Sequence, residues 1–277
     1  MAIEFLKGHG TQNDFVVLPD PDGRLDLTAG RVAALCDRQR GLGADGVLRV
    51  VRRDAVDAPA AAGSAGEWFM DYRNADGSIA EMCGNGTRVF ARYLVETGLV
   101  SGREFVIGTR AGDRPVVVHP DLSVTVQMGP ASITGASVAI VDGHDFSGVA
   151  VDVGNPHLVS IVDDDIDELD LTRAPRYDSD FFPDGVNLEF VNPLGEQRLK
   201  MRVYERGVGE TRACGTGTVA AVAAALHLAG TDTGKSTVDV PGGRVEVTVE
   251  RGASTLTGPA EFVARGELDP AWWEQAG

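Results

Sequence analysis

Two cysteines occupy matching places in this 277-residue chain. Cys83-Gly84-Asn85-Gly86-Thr87 leads into a helix-like stretch over 87–98, and Cys214-Gly215-Thr216-Gly217-Thr218 leads into another over 218–230. The start of a helix carries backbone N–H groups without partners inside the helix and the positive end of its dipole. Glycines there let a small anion approach the backbone closely. A thiol held at such an end is expected to ionise more readily, its pKa falling toward neutrality. Each motif therefore offers an acid/base sulfur and a place for a carboxylate. If both motifs served one carboxylate, a sulfur would lie on either side of the carbon attached to it. That arrangement suits inversion at an α-carbon: one thiolate removes the proton and the opposite thiol returns one from the other face. A positioned proton-transfer group contributes on the order of 10²–10⁴-fold, and the anion site must stabilise the enolate. A lone cysteine is more often a small buried hydrophobe. Cys36, inside a helical segment without a glycine loop, is read that way.

The elements around these motifs are mostly short strands. IEFLK, DFVVL, GVLRVVRR, EWFMDYR, SVTVQM, NLEFV, RLKMRVY, STVDV, GRVEVTVE and EFVARG are apolar or alternating and are bounded by Gly, Pro, Asp or Asn. Three helices are expected. The first covers 27–39, with Thr28 as its cap. The second covers 87–98, with Val89, Phe90, Tyr93 and Leu94 on one face, Arg88, Arg92 and Glu96 on another, and Gly98 as its stop. The third, 218–230, is apolar almost all round and wants burial on every side. The stretch 57–67 reads as a flexible hairpin loop, and the acidic run 163–170 as a solvated loop or short helix.

The chain also resembles itself. The cysteine motifs are offset by 131 residues (83 to 214), Gly-Pro-Ala recurs at an offset of 129 (129 to 258), and ADGVLRV resembles PDGVNLEF at an offset of 139 (46 to 185). Repetition in the same order implies two related halves, each a strand-rich unit around one helix.

Composition bounds the rest. Hydrophobic residues are 43% and charged residues 24%, as in a soluble globular protein. The net charge of −16 disfavours a phosphate backbone as partner, so nucleic acid is not expected. No apolar run reaches the roughly 18 residues of a membrane helix, and MAIEFLKGHG is read as a strand rather than a secretory leader. Three cysteines without a CxxC argue for a reducing cytosol, and five scattered histidines argue against a structural zinc site. GLGADG (41–46) matches a dinucleotide pattern, but it follows a helix and precedes a strand, the reverse of what that motif needs. GTGTVA (215–220) lacks a preceding strand, and AGTDTGKS (229–236) has Ala229 where a phosphate loop needs glycine.

Several motifs together resemble one family. Arg73-Asn74-Ala75-Asp76-Gly77-Ser78 followed by Cys83-Gly84-Asn85-Gly86-Thr87-Arg88 is similar to the first signature of diaminopimelate epimerases. Glu205-Arg206-Gly207, Gly209-Glu210-Thr211 and Ala213-Cys214-Gly215-Thr216-Gly217 are similar to the second. Gly10, Asn13-Asp14-Phe15, Gly41–Gly46, Gly154-Asn155-Pro156-His157, Gly185-Val186-Asn187 and Gly258-Pro259-Ala260 extend the resemblance over the whole chain. It implies an α/β (α+β) fold of two pseudo-symmetric domains, each a curled, mostly antiparallel sheet wrapped around a central helix. The expected boundaries are 1–122 with 264–277 for the N-terminal half and 123–263 for the C-terminal half. It further implies a cofactor-independent, two-base interconversion of LL- and meso-diaminopimelate for lysine and cell-wall synthesis, with no metal, by a cytoplasmic homodimer.

Carried over position by position, Cys83 and Cys214 are the bases, and Gly84, Asn85, Gly215 and Thr216 give backbone N–H groups to the reacting carboxylate. Asn13, Asn74, Asn155, Asn187 and Arg206 bind the substrate with Glu205. Arginine suits the distal carboxylate because it can grip it with two hydrogen bonds. Glu205 is also a candidate for the distal ammonium or for tuning Cys214, and His157 for orienting or deprotonating Cys83. Some family members carry Gln where this chain has Gly46. Two other readings of the thiol pair stay open at this point: a proline racemase or hydroxyproline epimerase, and a redox sensor closing a Cys83–Cys214 disulfide. A non-catalytic binding module on the same scaffold is a third.

Overall fold

The computed structural model describes residues 2–276. In chain order the elements are β1 (Ile3–Gly10), β2 (Asn13–Pro19), α1 (Ala29–Cys36), β3 (Gly46–Arg52), α2 (Pro59–Ala62), β4 (Trp68–Asn74), α3 (Gly84–Glu96), β5 (Glu104–Gly108), β6 (Arg114–Val118) and β7 (Val124–Gln127). There follow β8 (Ser132–Val141), β9 (His144–Asp152), β10 (Pro156–Ile161), β11 (Arg176–Tyr177), β12 (Asn187–Gly195), β13 (Arg198–Glu205), β14 (Gly209–Thr211), α4 (Gly215–Leu228), β15 (Gly234–Val240), β16 (Gly243–Glu250) and β17 (Ala253–Gly258). β18 (Glu261–Leu268) and α5 (Pro270–Gln275) close the chain.

Two compact units result: Met1–Val126 with Pro259–Gly277, and Gln127–Gly258. Both boundaries differ from the expected 122/123 and 263/264. β7 pairs with β6 as far as Val126, which keeps it in the first unit. β18 pairs antiparallel with β1 from His9↔Glu261 to Ile3↔Leu268, which draws 259–263 there too.

The units repeat one plan. In the first, β1 and β2 form a hairpin, β2 lies parallel to β3, β3 is antiparallel to β4, and β5–β6 form a later hairpin. In the second, β9 and β10 are antiparallel, β10 lies parallel to β12, β12 is antiparallel to β13, and β15–β16 are paired. One helix fills each curl. α3 packs on β1, β2, β3 and β6, and buries Val89, Phe90, Ala91 and Leu94 completely. α4 packs on strands from β8 to β17, and Val219, Ala220, Ala221, Val222 and Ala224 are fully buried. Small residues let strands close around α4 from many sides, as its all-round apolar character requires.

Arg88 departs from expectation. It belongs to the helix face read as polar, yet it is fully buried. Its guanidinium donates to Asn85 Oδ1 (2.5 Å), Thr11 Oγ1 (3.0 Å) and the Pro259 carbonyl (2.6 Å), so local acceptors replace water. Arg92 behaves as a rim residue, bonded to Glu96 at 2.8 Å and stacked on Phe262. Between β3 and β4 the segment read as a flexible loop contains α2, whose Ala61 packs with Ala58, Val51 and Phe69. In the acidic run, Ile166–Glu168 form one 3₁₀ turn that turns Ile166 into the core.

Candidate active site

Both helices begin three residues earlier than periodicity alone suggests, because each cysteine is itself the cap. At α3 the Gly86 N–H donates to Cys83 Sγ (3.4 Å) and the Thr87 N–H to the Cys83 carbonyl (2.8 Å). At α4 the Gly217 N–H donates to Cys214 Sγ (3.4 Å) and the Thr218 N–H to the Cys214 carbonyl (3.0 Å). The sulfurs thus occupy the place where an Asn or Ser oxygen caps most helices. Gly84–Asn85 and Gly215–Thr216 form the first helical positions, whose N–H groups have no acceptor within the helix.

In the first unit, Cys83 donates to Asn13 Oδ1 (3.5 Å), the same oxygen that accepts from Asn85 Nδ2 (3.3 Å). Asn13 Nδ2 donates to Asp45 (2.7 Å). The β1–β2 turn that delivers Asn13 holds Thr11 and Gln12 at φ of 49° and 63°. Left-handed backbone at two residues that are not glycine carries strain, and the Arg88 bond to Thr11 helps hold it. Asn74, at the end of β4, pairs in register with Gly46 and donates to Ser78 Oγ at 3.0 Å. Arg88 keeps a pKa of about 10 because burial lowers it and Cys83, when charged, raises it. It is therefore a cation at neutral pH, close enough to Cys83 to favour the thiolate.

The second unit has the opposite sign. Cys214 lies 3.5 Å from Thr216 Oγ1, which accepts from Asn155 Nδ2 (3.4 Å). His157 Nε2 is 3.0 Å from Asn155 Oδ1, and His157 Nδ1 is 2.6 Å from Glu189 Oε1. Glu205 accepts from Thr211 Oγ1. Arg206 donates its backbone N–H to Asn187 Oδ1 (2.9 Å), while its exposed guanidinium reaches the Asp184 carbonyl (2.7 Å). Burial pushes the Cys214 thiol well above its ordinary pKa, and Glu205 and Glu189 add to the rise. The expected fall toward neutrality does not hold here. Two carboxylates and the loss of water outweigh the helix end and the Thr216 and Gly217 hydrogen bonds. Burial likewise raises Glu205, against the bonds from Thr211 and Cys214.

The first unit thus gathers Asn13, Cys83, Gly84 and Asn85, with Asn74 at a strand end. The second gathers Asn155, His157, Glu205, Cys214, Gly215 and Thr216, with Asn187 and Arg206 joined beside them. Both ring nitrogens of His157 are engaged within its own unit. Sequence reasoning missed Arg88, hidden by a helical pattern that groups it with Arg92 and Glu96 away from the apolar face. It also missed Glu189, whose strand is buried through Val191 and shows no alternation. A lone acid between Leu188 and Phe190 was the available signal. Burial pushes Cys36 up to about 12, which suits a core residue. Among the described residues, no group of three or more His, Cys, Asp or Glu side chains is placed to hold a metal ion.

The family model for diaminopimelate epimerase matches residues 5–134 and 149–263. The chain belongs to the diaminopimelate epimerase family. It is 56% identical to a diaminopimelate epimerase of Rhodococcus erythropolis, with 99% of this chain and 98% of the relative covered. A diaminopimelate epimerase of Mycolicibacterium smegmatis is 57% identical over 97% of this chain and 98% of its own. Solved structures share the fold at low identity. A PhzF-family phenazine biosynthesis protein of Bacillus anthracis has TM-score 0.68 at 16% identity, covering 97% of this chain and 99% of its own. A hydroxyproline epimerase of Agrobacterium vitis has TM-score 0.66 at 16% identity, covering 98% and 94%. Within the diaminopimelate epimerase family this chain presents two cysteine-capped helices set in opposite local charge.

Proposed function

We propose that this chain interconverts LL- and meso-diaminopimelate without a cofactor, Cys83 and Cys214 acting as the two bases. The observation that carries the reading is the pair of cysteine N-caps, each with two glycine-flanked N–H groups at the helix start. One sulfur takes the α-proton as the C–H electron pair moves into an enolate held by Gly84, Asn85, Gly215 and Thr216 amides. The other sulfur gives its proton to the opposite face, so the two sulfurs exchange protonation states in each turnover. Local charge supports Cys83 as the thiolate at rest, beside Arg88, and Cys214 as the thiol, beside Glu205 and Glu189. Asn13, Asn74, Asn155, Asn187 and Arg206 hold the substrate. Glu205 meets the distal ammonium or holds the proton on Cys214, and His157 orients the site through Asn155. Family membership supports a place in lysine and peptidoglycan precursor synthesis, and we extend it to a homodimer in the cytosol.

The test is hydrogen exchange. Under reducing conditions in deuterated water, LL-diaminopimelate should yield meso product carrying one deuterium at the inverted carbon. Cys83→Ser and Cys214→Ser should each lower the rate by at least about 10²-fold, the smaller end of what a positioned acid or base contributes. Exchange into proline with none into diaminopimelate would overturn the assignment, as would an Arg206→Ala enzyme with unchanged turnover and affinity.

A further inference from the structure

The two units differ beneath the third residue of each central helix. A Cβ at Gly86 would meet Leu48 Cδ2 at 3.2 Å and Phe15 Cζ at 3.4 Å. A Cβ at Gly217 would meet Glu189 Oε1 at 2.5 Å. The ladder positions correspond, since Phe15 pairs with Gly46 on parallel strands as His157 pairs with Asn187, and Leu48 and Glu189 each lie two residues further on. One unit therefore fills this place with an apolar pair, and the other with a carboxylate and an imidazole. Glu189 and His157 are both fully buried, and Glu189 Oε2 has no hydrogen-bond partner. Burying such a pair is a poor way to gain stability when well-packed apolar residues serve the same scaffold. What the pair adds is a continuous line of contacts: Glu189 Oε1 to His157 Nδ1 (2.6 Å), His157 Nε2 to Asn155 Oδ1 (3.0 Å), Asn155 Nδ2 to Thr216 Oγ1 (3.4 Å), and Thr216 Oγ1 to Cys214 Sγ (3.5 Å).

We propose that Glu189 is a positioning residue, fixing the His157 ring and, through Asn155 and Thr216, the edge of the site beside Cys214. Its carboxylate lies against the first turn of α4, where negative charge is favoured by the helix end. The ring, gripped at Nδ1, holds the Asn155 amide with one edge toward itself and the other toward Thr216. The ionisable groups around Cys214 are Glu205 on β13, Glu189 on β12 and His157 on β10, and the first two oppose a thiolate there. This role deepens the proposed epimerase reaction and rests on it for the kinetic readout alone.

Two measurements on Glu189→Gln test it. In a chain whose sole cysteine is Cys214 (C36S/C83S), thiolate absorbance is followed against pH. Replacing the carboxylate by an amide should move the midpoint down by roughly half a pH unit or more, the size of shift one removed charge produces. In the otherwise unaltered enzyme, kcat for LL-diaminopimelate should fall about tenfold with KM changed less than about threefold, the pattern of a group that acts on the reacting geometry. An unmoved midpoint overturns the proposal, whether or not kcat falls. If Glu189→Gln does not fold, Glu189→Asp carries the test. The shorter acid keeps the charge but draws back from Nδ1, so kcat should drop severalfold while the midpoint stays at the wild-type value; unchanged kcat overturns the proposal. Should the unaltered chain exchange no hydrogen into diaminopimelate, the epimerase reading falls, while the absorbance midpoint still decides the role of Glu189.

Discussion

Cys214 and Glu205 compete for the same small volume, and burial acts on both in the same direction. Each is harder to ionise in the folded chain than in water, because the charged form loses solvent; the Glu205 and Glu189 charges add to the rise at Cys214, and the Glu189 charge adds to that at Glu205. A group whose pKa rises on folding binds more protons in the native state, so its ionisation destabilises that state. For Glu205 the stability is complete below its ordinary value of 4.5 and is lost as pH rises through the elevated folded value. Glu205→Gln keeps an acceptor for Thr211 and removes the charge. It should melt at the wild-type temperature near pH 4 and higher than wild type at pH 8, by about 2–4 °C for each kcal/mol of repulsion removed. Epimerisation should fall at both pH values. A melting curve that shifts equally at both pH values would show that the carboxylate's charge is not what matters. At this scale the cysteine pair was legible from the chain because residue type and glycine spacing were both visible. The sign of the Cys214 shift was not, since it is set first by burial and then by Glu205 and Glu189, which only the fold brings against the sulfur.

The elements turn these differences into tolerance or strain. Periodicity placed α3 and α4 correctly but began them at Thr87 and Thr218, because Cys-Gly-x-Gly reads as loop until the sulfur is seen to cap. Glycine within a helix costs roughly 1 kcal/mol relative to alanine, so both third positions invite substitution. The outcomes should diverge. At Gly86 an added methyl meets the ends of Leu48 and Phe15, at 3.2 and 3.4 Å, which can give by a few tenths of an ångström, and touches Cys83 Cβ at an ordinary 3.6 Å. Gly86→Ala should therefore be close to neutral in urea denaturation. At Gly217 the methyl falls 2.5 Å from a carboxylate oxygen already held by His157. Gly217→Ala should lose about 1–3 kcal/mol, the usual cost of overpacking, and should lower kcat by displacing Glu189. Equal urea midpoints for the two variants would refute the contrast. Arg88 teaches the same lesson about elements. The helical pattern sets it on the face opposite the apolar residues, and the turn at Thr11, the side chain of Asn85 and the Pro259 carbonyl, from three separate parts of the chain, make its burial tolerable.

At the scale of the chain, the internal repeat announced two related units, and their order of strands and helices bears the likeness out. The offsets could not fix the boundaries, because those depend on which strand claims the crossing segments. β18 is claimed by β1, so the last residues of the chain complete the unit that the first residues begin. α5 fastens this closure. Asp269 caps it through the Trp272 N–H, and Pro270 opens its first turn. Trp273 is 6% exposed and packs in one core with Val16, Leu18, Val32, Leu35 and Leu268, while the Arg31 guanidinium lies 4.9 Å over its ring. Removing an indole from such a core typically costs about 3–5 kcal/mol. Trp273→Ala should lower the urea midpoint accordingly and should speed amide exchange in β1, β2 and α1, while β15–β17 keep their protection. None of the proposed site residues belongs to that core, so kcat measured well below the unfolding transition should be unchanged. A variant as stable as wild type would mean that β1 and β2 hold without their C-terminal fastening. Loss of protection in β15–β17 to the same degree would mean that the two units do not unfold separately.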